Sequence, residues 1–172
     1  MNLSSRPFTP TGTAGYGAPS KDSTTTGERM SEQQSTVDIQ APRQLVWDVL
    51  TDVQSWPEWM AEVKEVRTQT PAGGLGAEYS LSQGVPALGL PMTVRVAAFD
   101  VPERLVLEQS QAGSRTEVTY TLTSVDERTT RMHTVLSASG LTGAFNTVQG
   151  GTYTSMLEEG GTALKDRCEA RV

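Results

Sequence analysis

A sustained alternation of apolar and polar residues between residues 63 and 139 is the feature that most restricts the fold of this chain. Such alternation places successive side chains on opposite faces of a strand, one of them buried. Turn-forming clusters, among them residues 71–74 (Pro-Ala-Gly-Gly) and 126–127 (Asp-Glu), separate the alternating runs. Consecutive strands with short connections pair antiparallel, so this stretch predicts a meander of about six strands. On one strand, alternation predicts a shared face for Met92, Val94, Val96 and Ala98.

The residues on either side of the meander follow a helical spacing, apart from one more strand predicted at residues 35–40. Pro42 stands where a first helix can begin, and a second short helix is predicted around residues 56–60. Residues 141–171 lack alternation and predict one long helix that packs on the sheet. Its glycine pairs, at 150–151 and 160–161, mark either kinks or places where the helix lies close to the sheet.

Together these elements predict an α+β fold. A curved antiparallel sheet of about six to seven strands wraps around a long C-terminal helix, and two short helices follow the first strand. Because a single helix covers only part of a concave sheet, this arrangement leaves an internal cavity where a ligand can bind.

Residues 1–33 differ in composition from the rest, being rich in Ser, Thr, Gly and Pro without an apolar period. Such a segment cannot bury enough apolar surface to offset its ordering entropy, so we predict a disordered N-terminal tail and one domain over residues 34–172. Met30 is a second candidate for the start of translation. The sequence shows neither the apolar core of a signal peptide nor a run of roughly eighteen apolar residues that would span a membrane.

The charge and cysteine content exclude several classes of partner. The net charge is −6 and Cys168 is the single cysteine. Nucleic-acid binding needs clusters of Lys and Arg, which this chain lacks. One cysteine allows no intramolecular disulfide, which fits a reducing compartment. We therefore predict a cytoplasmic protein with no nucleic-acid partner, no stable membrane insertion, no metal site and no cofactor motif. The oligomeric state stays open.

Four segments resemble a known superfamily. Residues 39–47 (Ile-Gln-Ala-Pro-Arg-Gln-Leu-Val-Trp) and 51–59 (Thr-Asp-Val-Gln-Ser-Trp-Pro-Glu-Trp) are similar to the opening strand and first two helices of the Bet v 1/START-like (SRPBCC) superfamily, within it the polyketide cyclase/dehydrase-like family. The turns at 74–77 and 99–105 are similar as well, so the resemblance covers residues 35–172. It implies the helix-grip fold with an internal pocket.

The resemblance leaves the function open, because this fold hosts lipid carriers, cyclases, hormone receptors and chaperone regulators. The first hypothesis is non-enzymatic binding or transport of a small hydrophobic or amphipathic ligand, such as a lipid, an isoprenoid or a polyketide-like compound. The alternative is a polyketide cyclase or aromatase. A second alternative is a protein-interaction or chaperone-regulator module, with the apolar loop at residues 83–91 as a contact surface.

The candidate pocket residues are the aromatic and apolar side chains predicted to face the sheet's concave side. The indoles of Trp56 and Trp59 either line a ligand entrance or anchor the core, and the tyrosine hydroxyls orient a ligand rather than transfer protons. The full candidate set is Trp56, Trp59, Tyr79, Leu81, Met92, Val94, Leu107, Val118, Tyr120, His133, Phe145, Tyr153 and Met156.

His133 is the only histidine and the sole candidate for a general base. Its direction depends on register, because a one-residue slip moves a strand's side chains to the other face. A two-residue turn at residues 126–127 pairs His133 with Tyr120 inside the pocket. A three-residue turn directs Met132, Thr134 and Leu136 inward and His133 to solvent. Arg95 alternates with Val94 and Val96, which favours solvent for its guanidinium rather than a ligand carboxylate.

Overall fold

The computed structural model describes the backbone of residues 31–70, 73–83, 91–111, 113–139 and 141–172, and the side chains of these residues except Ser31, Gln83 and residues 141–153. A 3-10 turn, Val53–Ser55, lies between the first two helices. The other elements, in chain order, are β1 (Ser31–Ile39), α1 (Arg43–Thr51), α2 (Trp56–Trp59), β2 (Val63–Thr68), β3 (Glu78–Gln83), β4 (Met92–Asp100), β5 (Arg104–Gln111), β6 (Ser114–Ser124), β7 (Thr130–Ser139) and α3 (Leu141–Glu169).

The described strands form one antiparallel seven-stranded sheet in the order β1-β7-β6-β5-β4-β3-β2. Strands β2 to β7 are a meander in which each strand pairs with the next, as the alternation predicts. The first strand of the chain joins the last one, so β1 and β2 are the two edges. The predicted α+β helix-grip architecture is confirmed, with α1, α2 and the long helix α3 in their expected places.

Strand β1 begins earlier than the composition indicates. Residues 31–33 pair with residues 136–138 of β7, although the predicted tail extends to residue 33. Polar residues on an edge strand carry no apolar period, which is why composition alone puts this boundary too late. The remainder of the predicted tail lies outside the described residues.

A β-bulge in β4 changes which side chains face the core. Val96 pairs with Leu107 but Ala98 pairs with Val106, so Ala97 is an extra residue in the ladder. The prediction that Ala98 shares a face with Val96 is therefore wrong. Phe99 turns to the core instead, where its ring meets that of Trp47 edge to face with centroids 5.0 Å apart.

Helix α3 packs on the sheet at its second glycine pair. Gly161 is buried, and a Cβ built there would lie 3.5 Å from Cγ1 of Val37 and 3.9 Å from Cε of Met132. The helix continues through this pair without interruption. The pair therefore marks no break in the helix, and of the two glycines Gly161 is the one that lies against the sheet, at ordinary van der Waals distances. Within the described residues, no helix has both the length and the apolarity that crossing a membrane requires.

Candidate ligand-binding cavity

A cavity of about 170 Å³ lies between the second half of α3 and the concave face of the sheet. The side of the cavity formed by α1, α2 and the turn after α2 contributes Leu50, Trp59, Met60 and Ala61. Strands β6 and β7 contribute alternate residues along their inner faces, and α3 contributes one side of its helix. The apolar residues from these three elements are Val118, Met132, Leu136, Met156, Leu157, Ala163 and Leu164.

Three uncharged polar side chains line the sheet side of this cavity: Gln109, Tyr120 and Thr134. Thr134 is only 3% exposed. Burial raises the pKa of Tyr120 to about 12, so its hydroxyl stays protonated near neutral pH and can donate a hydrogen bond. Within the described part of the chain, none of the three side chains makes a hydrogen bond to another protein group. Their polar atoms are available to a bound molecule.

Two carboxylates line the opposite side of the cavity. Glu62 stands in the turn between α2 and β2, and Glu159 stands on α3. Partial burial raises the pKa of Glu62, and the nearby negative charge of Glu159 raises it further. Glu159 is exposed and Glu62 is partly exposed, so the side of the cavity nearest to solvent carries a negative potential from two separate elements.

His133 is not in the cavity. Ser124 pairs with Thr130, which leaves the five residues 125–129 in the turn, and the register then places Tyr120 opposite Thr134 and not opposite His133. His133 pairs with Thr121 and Thr36 on the outer face of the sheet, where its Nδ1 lies 3.0 Å from Oγ1 of Thr36. The candidate pocket set is corrected accordingly: a turn with an odd number of residues directs Met132, Thr134 and Leu136 inward.

The other candidates fall into three groups. Trp59, Val118, Tyr120 and Met156 line the cavity. Six others face the concave side of the sheet or its covering helices but are packed in the solid core, none more than 6% exposed: Trp56, Tyr79, Leu81, Met92, Val94 and Leu107. The side chains of Phe145 and Tyr153 lie outside the described residues, as do residues 84–90 of the apolar loop. Alternation identifies the inward face but not the part of that face that remains uncovered.

The two indoles of α2 show the two roles that the sequence left open. Trp56 is 2% exposed and its Nε1 donates to the Leu50 carbonyl at 3.1 Å, which is the role of a core anchor. Trp59 is half-buried at the cavity, and its Nε1 donates to Oγ of Ser55 at 3.3 Å. The hydroxyl of Tyr79 has a partner in the turn before β3, since it accepts the backbone N–H of Gly73 at 3.0 Å.

Sequence reasoning missed several lining residues. Gln109 shares the inward face of β5 with Leu105 and Leu107, so alternation indicates it once polar residues are counted as inward candidates. Thr134 follows from the register of β7. The carboxylates of Glu62 and Glu159 have no local signal, because a turn and a distant helix bring them to one cavity.

The described residues contain no group of His, Cys, Asp and Glu side chains that would hold a metal ion. Cys168 is buried against the sheet outside the cavity lining, and burial raises the pKa of its thiol to about 11. A thiol with this pKa is protonated and unreactive near neutral pH. The chemistry that the described cavity offers is therefore apolar contact, hydrogen bonding by uncharged groups, and two carboxylates.

Comparison with known proteins places this geometry in context. Residues 30–169 match a family model described as "Polyketide cyclase / dehydrase and lipid transport". A comparison with proteins of curated function gives no significant match.

Three solved structures share the fold. A START superfamily protein from Mycobacterium smegmatis is 15% identical with a TM-score of 0.67, over 82% of this chain and 99% of its own. The Zhui aromatase/cyclase from Streptomyces sp. R1128 is 20% identical with a TM-score of 0.64, over 83% and 95%. A protein from Thermus thermophilus is 16% identical with a TM-score of 0.68, over 82% and 99%. Likeness at this identity shows the fold alone.

Proposed function

This chain belongs to the polyketide cyclase/dehydrase and lipid transport family, and from that membership we propose that it binds a small hydrophobic or amphipathic molecule in the cavity under α3. A lipid, an isoprenoid or a polyketide-like compound has the required chemistry. The observation that carries the proposal is the hydroxyl of Thr134, which lines a largely apolar cavity and has no hydrogen-bond partner among the described residues. Polar groups in protein interiors are nearly always paired, with a bound molecule or ordered water where no protein group serves.

The walls of the cavity supply the driving force for binding. Leucine, methionine and valine side chains from β6, β7 and α3 surround the space, and burying ligand surface against them contributes roughly 25 cal/mol per Å². Gln109, Tyr120 and Thr134 on the sheet side offer hydrogen bonds to polar groups of the ligand that lie inside the cavity. The volume of about 170 Å³ is below the roughly 300–1,000 Å³ of pockets for drug-sized ligands, so the part of the ligand inside the cavity is small.

A polyketide cyclase or aromatase is the alternative, and the family description includes it. This reaction class needs a group inside the cavity that moves protons. Because His133 lies on the outer face, the titratable groups in the described lining are Glu62, Glu159 and Tyr120. A tyrosine with a pKa of about 12 is a poor base at neutral pH. Binding without turnover needs no proton transfer from Glu62, Glu159 or Tyr120, and the apolar lining supports it directly.

The first experiment is native mass spectrometry of the purified full chain, followed by organic extraction and identification of any bound molecule. The expected result is a defined apolar or amphipathic molecule at close to one per chain. A protein that is empty and also fails to bind Nile red, a neutral dye sensitive to polarity, would contradict the proposal. The protein-interaction hypothesis would then become the leading one.

A pair of substitutions on neighbouring positions of α3 locates the binding site. Ala163 lines the cavity, whereas Thr162 beside it is exposed and absent from the lining. Ala163→Phe should weaken Nile red binding by at least about tenfold, equivalent to about 1.4 kcal/mol, because the ring occupies ligand space. Thr162→Phe, with the same added ring, should leave the affinity unchanged. Circular dichroism checks that both variants fold, and equal affinities in both would place the dye elsewhere.

A further inference from the structure

The charged side chains in the described cavity lining are both acidic. Glu62 and Glu159 are the charged members of that lining, which includes no Lys, Arg or His side chain. They come from different elements, the turn after α2 and helix α3, and solvent reaches both, since Glu159 is exposed and Glu62 is partly exposed; this places them where the cavity opens. The negative charge of Glu159 contributes to the raised pKa of Glu62, so the two carboxylates are close enough to interact electrostatically.

The basic side chains on the adjoining elements are engaged away from the cavity. The Lys64 ammonium donates to the Ala61 carbonyl at 2.7 Å, and the Arg167 guanidinium pairs with Glu58 of α2. Neither lysine nor arginine belongs to the described lining. Residues 84–90 and 140–153 contain no charged residue in their sequence. Neither of these two segments therefore adds a positive charge, and the basic residues outside the described part of the chain are Arg6, Lys21 and Arg29 of the N-terminal segment.

The second observation is the unpartnered hydroxyl of Thr134, 3% exposed and directed into the same cavity. It marks the space between the sheet and α3 as a place for a bound molecule, independently of the acidic pair. A ligand that fills this space presents its apolar body to Val118, Leu136 and Met156. Its end at the opening meets Glu62 and Glu159.

We infer that the cavity selects amphipathic ligands by the charge of their polar end, preferring an alkylammonium over a neutral alcohol and a neutral alcohol over a carboxylate. This inference rests on the proposed function and adds the class of ligand to it. An anionic end would be brought near two like charges, whereas an ammonium would be attracted to both. A unit charge about 4 Å from one carboxylate in water-like surroundings changes affinity about fivefold in either direction.

The test compares three ligands of equal chain length: octylamine, octan-1-ol and octanoate. Near neutral pH the amine is cationic and octanoate is anionic, since their ionisable groups titrate close to the Lys and Glu values. Each displaces Nile red from the full-length protein in a fluorescence titration. The expected order of affinity is amine, alcohol, carboxylate, with steps of about fivefold or more.

The variants Glu62→Gln and Glu159→Gln, singly and together, assign the preference to the carboxylates. Glutamine keeps the shape of the side chain and removes its charge. The double variant should bind the amine and octanoate within about twofold of the alcohol, since the Coulomb terms are gone. Glu158→Gln is the matched control, because Glu158 is exposed, adjacent in sequence and outside the cavity lining. It makes the same change in net charge as either single variant and should keep the preference of the unmodified protein.

The outcomes separate this inference from the function on which it rests. If octan-1-ol displaces the dye but the three ligands bind equally, or octanoate binds best, the charge selection is wrong and the binding function stands. If the amine preference survives in the double variant, the cavity carboxylates are not its source and the inference fails. If neither Nile red nor octan-1-ol binds, the proposed function fails, and the charge selection fails with it.

Discussion

The two halves of the sheet's concave face have similar strands, but one half is packed in the main core and the other borders the cavity. On β3, β4 and β5, residues such as Tyr79, Leu81 and Val94 are packed in the continuous main core. On β6 and β7, Val118, Leu136 and Ala138 form a separate apolar cluster beside the cavity. The residue types are similar in both halves. What differs is the element that covers them.

The side chains that cover the sheet explain where the cavity lies. Helix α3 lines the cavity with the small residues Gly160, Gly161 and Ala163. The core beyond it is filled by bulky side chains of the short helices, among them Trp47 and Trp56. Interiors are packed to near-crystalline density wherever side chains are large enough to meet. Small residues on one helix thus leave a volume that large residues elsewhere fill.

The largest expected effect contrasts the two indoles of α2. Trp56→Ala should lower the free energy of unfolding by about 3–5 kcal/mol, because it empties a filled site and removes the donor to the Leu50 carbonyl. Trp59→Ala at the cavity should cost about 1 kcal/mol in stability. Urea denaturation measures both. Equal losses would mean that Trp59 belongs to the solid core and that the contrast between the halves is wrong.

The next contrast uses two buried threonines on β7. Thr130 is 0% exposed, and its Oγ1 donates to the Ala41 carbonyl at 2.8 Å. Thr130→Val should therefore lower the free energy of unfolding by about 1–3 kcal/mol. Thr134→Val removes an unpartnered hydroxyl, so stability should stay unchanged or rise by up to about 1 kcal/mol. Thermal and urea unfolding compare the two, and a marked loss in Thr134→Val would show that its hydroxyl has a partner within the protein.

The smallest expected effect is on pH dependence. Because the folded pKa of Glu62 is raised, ionising it costs stability as the pH rises from the ordinary value of 4.5 through the folded value. Glu62→Gln should therefore raise the melting temperature near neutral pH, by the equivalent of at most about 0.5 kcal/mol since the group is half exposed. Below pH 4.5 the advantage should vanish, because glutamic acid is then uncharged in both states. Melting curves across this range check the sign, and an advantage only at low pH would contradict it.

Local patterns were enough for most of the fold. Period-two alternation predicts the meander strands, and helical spacing predicts α1 and α3, because these signals lie within each segment. The same reasoning failed at Ala98, where a bulge of one residue moved Phe99 to the core. It also left His133 undecided, because its direction depends on the length of a turn.

The candidate site was less predictable than the fold. Trp59, Val118, Tyr120 and Met156 were anticipated and line the cavity, whereas Tyr79 and Leu107 face inward but lie in the solid core. Inward direction is a property of one strand. Whether an inward residue meets another side chain or empty space depends on which residue of a distant helix lies across from it.

The sequence by itself determined the order and type of the elements and the inward face of most strands, because each follows from neighbours within a few residues. The helix-grip class followed from the resemblance of four segments to a known superfamily. Tertiary structure alone decided three further things: the five-residue turn that directs His133 outward and Thr134 inward, the space opposite Gly160 and Ala163, and the meeting of Glu62 with Glu159. The turn depends on the pairing register of β6 and β7, which alternation within one strand does not contain. The other two depend on groups far apart in the chain, whose relative positions packing establishes.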